Sequence, residues 1–93
     1  MPLRFAWDSR KAASNLRKHG VTFAEAASAF EDPLSITVPD PGHSLAEERY
    51  IVLGTSNKQR LVVVAFAERP PRTRLISARP ATNHERKLYE EET

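Results

Sequence analysis

The side chains that could do chemistry in this chain are mostly basic, and they concentrate in its second half. From Asn57 to Arg79 there are six basic residues and a single acid, Glu68, which is a local charge balance of +5. Over the whole chain arginine outnumbers lysine ten to four. Because a guanidinium group contacts phosphate through two parallel hydrogen bonds, this bias favours a polyanionic partner. The alternative is a set of charges that only protects strand edges.

Cleavage of RNA needs no more than such side chains, because the 2′-hydroxyl of the substrate is the nucleophile. The protein then supplies a general base, a cation for the phosphorane and an acid for the leaving 5′-oxygen. His19 or Glu68 could accept the proton, and Arg69, Arg74 or Arg79 could hold the phosphate. DNA lacks the 2′-hydroxyl, so a site of this kind would be selective for RNA.

Most of these residues also have a structural explanation. His19 ends a predicted helix, where a cation stabilises the helix dipole. Glu68 and Arg69 could form an ion pair in a turn, which contributes little to stability. Tyr89 could pack the last helix onto the sheet. Arg74 is harder to explain structurally, because a charge in the middle of a strand needs solvent or a partner.

Several site classes are not supported by the residue types. The chain has no cysteine, and its three histidines, His19, His43 and His84, lie far apart without ligand partners at the usual spacing. With three glycines it has no phosphate-binding loop and no dinucleotide fingerprint. We therefore expect neither a metal nor a cofactor.

The length of 93 residues predicts a single domain over residues 1–93. No apolar stretch approaches the roughly 20 residues that span a bilayer. The N-terminus lacks the apolar core of a signal peptide. These features predict a cytoplasmic protein.

Two helices follow a short first strand, which is predicted over Leu3–Trp7. The first helix is predicted over Arg10–His19, with Asp8 or Ser9 as its N-cap and Gly20 as its left-handed stop. The apolar stripe of this helix is Ala12, Ala13 and Leu16.

The second helix begins with a capping box, in which Thr22 caps the helix and the side chain of Glu25 reaches back to the Thr22 N–H. It ends before Pro33. Its apolar positions are Phe23, Ala26, Ala27 and Phe30.

Four strands and a last helix complete the chain. The strands are predicted over residues 34–38, 49–54, 61–67 and 73–78, with a loop over residues 39–44. The third of these is apolar on both parities, so it should be a central strand covered on both faces. A second capping box, Thr82 to Glu85, opens a helix with a thin apolar face that should anchor poorly.

The predicted order is therefore β-α-α-β-β-β-β-α. This is an α+β fold, with the N-terminal helix hairpin on one face of an antiparallel sheet and a C-terminal helix. The other face is expected to be partly open and edged by arginines.

As an ordered set, the motifs resemble the BrnT family of toxins from bacterial type II toxin–antitoxin systems. The matching pieces are Phe5-x-Trp7-Asp8 with Lys11, Asn15-x-x-Lys18-His19-Gly20-Val21-x-Phe23-x-Glu25-Ala26, Phe30-x-Asp32-Pro33, Glu47-Glu48-Arg49, Glu68-Arg69, Arg74-x-Ile76-Ser77-Ala78-Arg79 and Glu85-x-x-x-Tyr89-Glu90. One position departs from the pattern, because Pro80 stands where such sequences often carry a basic residue. The resemblance implies a RelE-like fold and cleavage of RNA that blocks translation. It also implies neutralisation by a ribbon–helix–helix antitoxin of the BrnA type, which binds operator DNA.

The predicted function is thus a metal-independent endoribonuclease toxin with RNA as substrate and an antitoxin as partner in a hetero-oligomer. The predicted catalytic residues are Lys18, His19, Glu68, Arg69, Arg74 and Arg79. The predicted RNA-binding residues are Arg49, Arg60, Arg72 and Arg86. The alternative is a non-catalytic basic module that docks on nucleic acid or on a protein, since RelE-like folds also host toxins that attack DNA gyrase.

Overall fold

The computed structural model describes residues 4–40 and 48–92, and the predicted-loop residue His43 and the motif residue Glu47 lie outside these ranges. Within them the fold is α+β, with three α-helices and a five-stranded mixed sheet. The elements are β1 (Phe5–Ala6), α1 (Ser9–His19), α2 (Phe23–Ser28), a 3₁₀ helix (Ala29–Glu31), β2 (Ile36–Pro39), β3 (Arg49–Thr55), β4 (Leu61–Arg69), β5 (Arg72–Pro80) and α3 (Asn83–Glu92).

The strands lie in the order β1-β5-β4-β3-β2. The four from β2 to β5 form an antiparallel meander, but β1 pairs with β5 in parallel, through Phe5 with Thr73 and Ala6 with Arg74. The prediction of a purely antiparallel sheet is therefore wrong at this edge. Short turns make neighbouring strands antiparallel, whereas β1 is separated from β5 by two helices and three strands, so its direction is not set locally.

The predicted caps of α1 are present, but its predicted apolar stripe is only partly buried, with Ala12 packed against the core. Asp8 Oδ1 accepts hydrogen bonds from the backbone N–H groups of Arg10 and Lys11 at 2.7 and 3.1 Å. Gly20 ends the helix with φ of 71°. Leu16, expected in the apolar stripe, is 47% exposed, and the residue buried in its place is Asn15.

Asn15 is buried because its amide completes the edge of the sheet beyond the short β1. Its Nδ2 donates to Ala78 O at 2.8 Å, and its Oδ1 accepts from Ala78 N at 3.0 Å. The same Nδ2 donates to Val21 O at 2.9 Å, so both the strand edge and the turn after α1 are satisfied. An amide carries a donor and an acceptor, as a peptide group does, which is why asparagine and not leucine fits here.

The N-cap of α2 is Thr22, whose Oγ1 accepts from Glu25 N at 3.0 Å. The second half of the predicted capping box is wrong, because the Glu25 side chain does not return to the Thr22 N–H. It lies buried instead and accepts hydrogen bonds from Ser56 Oγ at 2.7 Å and from Arg60 Nε at 2.6 Å. A buried carboxylate needs a cationic partner, and Arg60 supplies it.

The core has two layers, one on each side of β4. Val62, Val64 and Phe66 pack in one cluster with α2, and Leu61 and Val63 pack on the opposite side in a cluster that Tyr89 of α3 also contacts. The prediction that this strand is central and covered on both faces is confirmed. The helix hairpin therefore covers one face of the sheet, and α3 covers part of the other.

Helix α3 is anchored more firmly than its thin apolar face predicts. Tyr89 Oη donates to Asp32 Oδ2 at 2.5 Å and accepts from Thr55 Oγ1 at 3.3 Å. The predicted capping box is confirmed, with Glu85 N bonded to Thr82 Oγ1 and Thr82 N bonded to Glu85 Oε1. Tyr89 thus has the packing role that was the structural explanation for it.

Candidate functional site

Two of the predicted arginines flank an alanine on the side of the sheet away from the helix hairpin. Arg49 of β3 lies opposite Ala67 of β4, which in turn lies opposite Arg74 of β5. The row next to it, Tyr50, Phe66 and Leu75, belongs to the core under the hairpin. Because successive strand residues alternate between faces, Arg49 and Arg74 project from the opposite face.

The turn between β4 and β5 adds two more cations to this side. Arg69 lies directly opposite Arg72, two positions along the strands from the first row, and both are exposed. We call this group, made of Arg49, Arg69, Arg72 and Arg74, the basic face. Four guanidinium groups on one flat surface can contact successive phosphates of a strand.

A β-bulge decides where Arg79 lies. The register changes from Ala65 with Ser77 to Phe66 with Leu75, so Ile76 is an extra residue in β5. Arg79 pairs with Val63 and therefore lies on the same side of the sheet as Arg74. In a regular strand residues five apart point to opposite faces, so the bulge is what unites the two arginines on one side.

Arg79 is held by an acid from α3. Its Nη1 and Nη2 donate to the two carboxylate oxygens of Glu85, each at 2.8 Å. The hydrogen bonds from Arg79 lower the pKa of Glu85 from 4.5 to about 2, although partial burial acts in the other direction. The side chain of Arg79 is still 41% exposed, so an anion could reach it only in competition with Glu85.

A cavity of about 210 Å³ lies between α1 and β5 and holds two predicted catalytic residues, Lys18 and His19. Its full lining is Lys11, Ser14, Asn15, Lys18, His19, Ile76 and Ser77. The bulge residue Ile76 and its neighbour Ser77 form the strand side of this space. Two ammonium groups and an imidazole around one cavity have the chemistry of the cation and the base that attack by a 2′-hydroxyl would need.

The sequence interpretation did not place Lys11, Ser14 or Ser77 at this site. A helical signal was available, since residues three, four and seven positions apart lie on one face of a helix. Lys11, Ser14, Asn15 and Lys18 follow this spacing. It was overlooked because the helix was oriented by its apolar residues; Ala12 does pack against the core, but Leu16 is exposed.

Glu68, the other candidate base, does not line this cavity. It lies near the end of β4 opposite Thr73, whose Oγ1 donates to Glu68 Oε1 at 3.3 Å. The two candidate bases are therefore in separate places, with His19 in the α1–β5 cavity and Glu68 beside the β4–β5 turn. The structure does not bring them into one catalytic group.

The remaining two predicted cations lie apart from these groups. Arg60 forms hydrogen bonds with both oxygens of the buried Glu25 at 2.6 Å and donates to Gly20 O at 2.6 Å. The bonds from Arg60 lower the pKa of Glu25 despite its burial, so both groups stay charged. This guanidinium has a structural role. Arg86 is exposed on α3.

Two further features bear on the kind of site. A cavity of about 310 Å³ near the start of β4 is lined in part by Glu31 and Asp32, whose charges disfavour phosphate. Within residues 4–40 and 48–92 no three His, Cys, Asp or Glu side chains come together as metal ligands would. Over the same ranges no helix is long and apolar enough to cross a membrane.

Comparisons with known proteins agree with this architecture. Residues 7–85 match the model of a family described as the ribonuclease toxin, BrnT, of type II toxin–antitoxin systems. The fold is similar to the 1.1 Å crystal structure of the Brucella abortus ribonuclease toxin BrnT, with a TM-score of 0.69 and 28% sequence identity. That match covers 87% of this chain and 99% of the Brucella chain. A search of curated proteins gives no match.

Proposed function

Because the chain belongs to the BrnT family of ribonuclease toxins of type II toxin–antitoxin systems, we propose that it is an endoribonuclease that cleaves RNA without a metal ion and thereby inhibits translation. The observation that carries this proposal is the cavity between α1 and β5. There Lys18 and His19 share one space with Lys11.

The reaction follows from these side chains. The imidazole of His19 takes the proton of the 2′-hydroxyl, and the 2′-oxygen attacks the adjacent phosphorus. The bond to the 5′-oxygen breaks, and the leaving oxygen takes up a proton, so one product ends in a 2′,3′-cyclic phosphate. Lys11 and Lys18 stabilise the negative charge that accumulates on the phosphorane. We favour His19 over Glu68 as the base because His19 shares its cavity with two cations.

The basic face is proposed to hold the RNA strand. Arg49, Arg69, Arg72 and Arg74 present guanidinium groups on the side of the sheet that the helix hairpin leaves uncovered. Arg79 joins this surface when a phosphate of the RNA replaces the Glu85 carboxylate as its hydrogen-bond partner. Arg60 is left out of this set because Glu25 engages it, and Arg86 on α3 would contact RNA only at the periphery.

The test is incubation of pure protein with RNA in EDTA, followed by analysis of the fragment ends. We expect 2′,3′-cyclic phosphate or 3′-phosphate ends, and no cleavage where deoxyribose replaces ribose at the scissile position. His19→Ala should lose most of the activity, whereas His84→Ala, a matched change of an exposed histidine on α3, should retain it. Cleavage that requires Mg²⁺, or that leaves 5′-phosphate ends, would refute the mechanism. Binding of RNA without any cleavage would favour the inert binding module.

Arg74 separates bidentate binding from simple charge. Arg74→Ala should abolish toxicity while the fold is retained, because removing a partly exposed charge rarely costs much stability. Arg74→Lys should restore little, since an ammonium group cannot form the two parallel bonds. Full toxicity of the alanine variant would remove Arg74 from the site.

The family also implies an antitoxin, which we propose to be a ribbon–helix–helix protein of the BrnA type that carries the complex to operator DNA. It would neutralise the toxin by covering the basic face, so that antitoxin and RNA compete for the same arginines. Titrating antitoxin into the His19→Ala variant bound to labelled RNA tests this competition. A stable ternary complex with unchanged RNA affinity would contradict it.

A RelE-like relationship of the fold and a cytoplasmic location are parts of the same proposal.

A further inference from the structure

Trp7 is the single tryptophan of the chain, and it is unusually exposed for so large an aromatic residue. It lies between β1 and the N-cap of α1, and 41% of its surface is accessible to solvent. Its ring meets that of Phe23 edge to face, with the centroids 5.9 Å apart and an interplanar angle of 80°. The indole is therefore held by the core on one side and open to solvent on another.

The exposed indole borders a cavity of about 210 Å³ that is separate from the α1–β5 cavity. Its lining is Ala6, Trp7, Asp8 and Arg74. Arg74 is a member of the basic face, so this cavity adjoins the surface proposed to hold the RNA strand. A cavity of about 150 Å³ is enough to hold benzene, so there is room here for one planar aromatic ring system.

The walls of this cavity are already ordered. Ala6 pairs with Arg74 in the β1–β5 ladder, and the neighbouring Thr73 N donates to Arg4 O at 2.7 Å. Asp8 is fixed because its Oδ1 caps α1 through two backbone N–H groups. A site whose walls are fixed before binding loses little conformational entropy when a ligand enters.

The chemistry of the lining favours a nucleobase over a phosphate. The carboxylate of Asp8 repels a phosphate but accepts hydrogen bonds from the N–H groups of a base. An indole offers a stacking surface that serves any base, and single-stranded RNA is commonly bound by stacking on such rings. Arg74 lines the same cavity, so its guanidinium can hold the phosphate beside the stacked base.

We propose that the cavity formed by Ala6, Trp7, Asp8 and Arg74 is a subsite for one unpaired nucleobase of the RNA substrate. This inference rests on the proposed function, because it takes the RNA strand to lie along the basic face. The subsite places one base beside Arg74 and so sets which stretch of single-stranded RNA is presented to the α1–β5 cavity. The subsite thus adds a contact to a base, whereas the basic face contacts only the sugar–phosphate backbone of the RNA.

Because Trp7 is the single tryptophan, its fluorescence reports on the subsite directly. The probe is a short single-stranded RNA with 2′-O-methyl groups, which binds but cannot be cleaved by attack of its own 2′-oxygen. We expect saturable quenching of Trp7 emission, and loss of quenching with an otherwise identical abasic backbone. Trp7→Leu should weaken binding about 5- to 150-fold, the range for one stacked base. Trp7→Phe should retain most of the affinity, since a ring is kept.

Salt dependence distinguishes stacking from charge. Trp7→Leu should lower affinity equally at all salt concentrations, whereas Arg74→Ala should reduce the slope against the logarithm of salt by roughly 0.7. Leu16→Ala, which alters another exposed apolar residue near the N-terminus, is the matched control and should bind like the wild type. Thermal unfolding of Trp7→Leu tests whether the contact with Phe23 is needed for folding. Trp7→Phe keeps an aromatic ring at this position and serves as the second variant.

The outcomes distinguish a failure of this inference from a failure of the proposed function. If unmodified RNA is cleaved, but Trp7 emission is unchanged and Trp7→Leu binds like the wild type, the subsite is wrong and the ribonuclease proposal stands. If the wild type neither binds nor cleaves RNA, both are wrong. Equal weakening by Trp7→Phe and Trp7→Leu would assign Trp7 a structural role and refute stacking.

Discussion

The ion pair between Arg79 and Glu85 can be removed by one substitution that leaves the helix cap in place. Glu85→Gln replaces the carboxylate with an amide of the same shape. Glutamine serves as well as glutamate in a capping box, so the hydrogen bond to Thr82 N can be retained. The change therefore isolates the charge interaction between Glu85 and Arg79.

The expected loss of stability follows from the pKa of Glu85. A fall from 4.5 to about 2 in the folded protein corresponds to an upper limit of about 3.4 kcal/mol. The side chains of Arg79 and Glu85 are 41% and 23% exposed, so solvent screening reduces this contribution. We expect about 1–2 kcal/mol at pH 7, which is a decrease in Tm of about 4–16 °C for a domain of this size.

The effect has a defined pH dependence. Because the pKa of Glu85 is lower in the folded state, its contribution is fully present above about pH 4.5 and is lost as the pH falls towards 2. The difference in unfolding free energy between the wild type and Glu85→Gln should therefore shrink to less than half between pH 7 and pH 3. Urea unfolding at both pH values measures it.

Glu91→Gln, at an exposed position of the same helix, is the matched control and should change stability by less than about 0.5 kcal/mol. If Glu85→Gln costs no more than this control, or if its cost is the same at pH 3 as at pH 7, the ion pair does not stabilise the fold. The freed Arg79 should also add one phosphate contact, seen as a steeper salt dependence of RNA binding.

Three further substitutions test the structural roles assigned above, each by urea unfolding at pH 7. Arg60→Ala leaves the carboxylate of Glu25 buried without its cation and should cost about 3 kcal/mol. Asn15→Leu removes the hydrogen bonds that complete the edge of β5 at Ala78 and should cost about 3 kcal/mol, although leucine is more apolar. Gly54→Ala places a Cβ 2.7 Å from a carbonyl oxygen of the 3₁₀ helix and should cost about 1–3 kcal/mol.

Matched controls exist for two of these. Lys58→Ala removes an exposed cation near Arg60, and Leu16→Ala alters an exposed side chain next to Asn15, so both should be nearly neutral. Similar costs for Arg60→Ala and Lys58→Ala would contradict a structural role for Arg60. A stable Asn15→Leu variant would mean that the edge of β5 is satisfied in another way. Unchanged stability of Gly54→Ala would require the 3₁₀ helix to shift at no cost.

The comparison of Leu16 with Asn15 explains why the sequence placed Leu16 on the buried side of the first helix and the structure does not. Hydrophobic periodicity assumes that the most apolar side chains face the core. Here β1 pairs only with Thr73 and Arg74, so it leaves the backbone N–H and C=O of Ala78 without a strand partner on that edge. Leaving these groups without hydrogen bonds would cost more free energy than burying another leucine would gain, and Asn15 supplies the hydrogen bonds. That need depends on the length of β1, and Asn15, which meets it, lies 63 residues from Ala78, so no local pattern carries it.

The residues of the candidate site also fall into two groups, those that the sequence could assign and those whose surroundings only the tertiary structure shows. His19 was a candidate base from its chemistry and Lys18 was assigned from the family resemblance, and the structure places both in one cavity. Arg60 was grouped with the other arginines of its stretch, but its partner Glu25 lies 35 residues earlier. The exposed Trp7 beside Arg74 could not be assigned because the two meet only through the β1–β5 pairing.

By itself the sequence determined the features that depend on residues a few positions apart. The caps at Thr22 and Thr82, the stop at Gly20 and the meander of strands follow from hydrogen bonds and conformational preferences within single turns. The tertiary structure alone decided which side chains share a surface. The parallel pairing of β1 with β5 places Trp7 beside Arg74. One extra residue in β5 places Arg79 on the same side of the sheet as Arg74, because a shift of one residue in a strand moves a side chain to the opposite face.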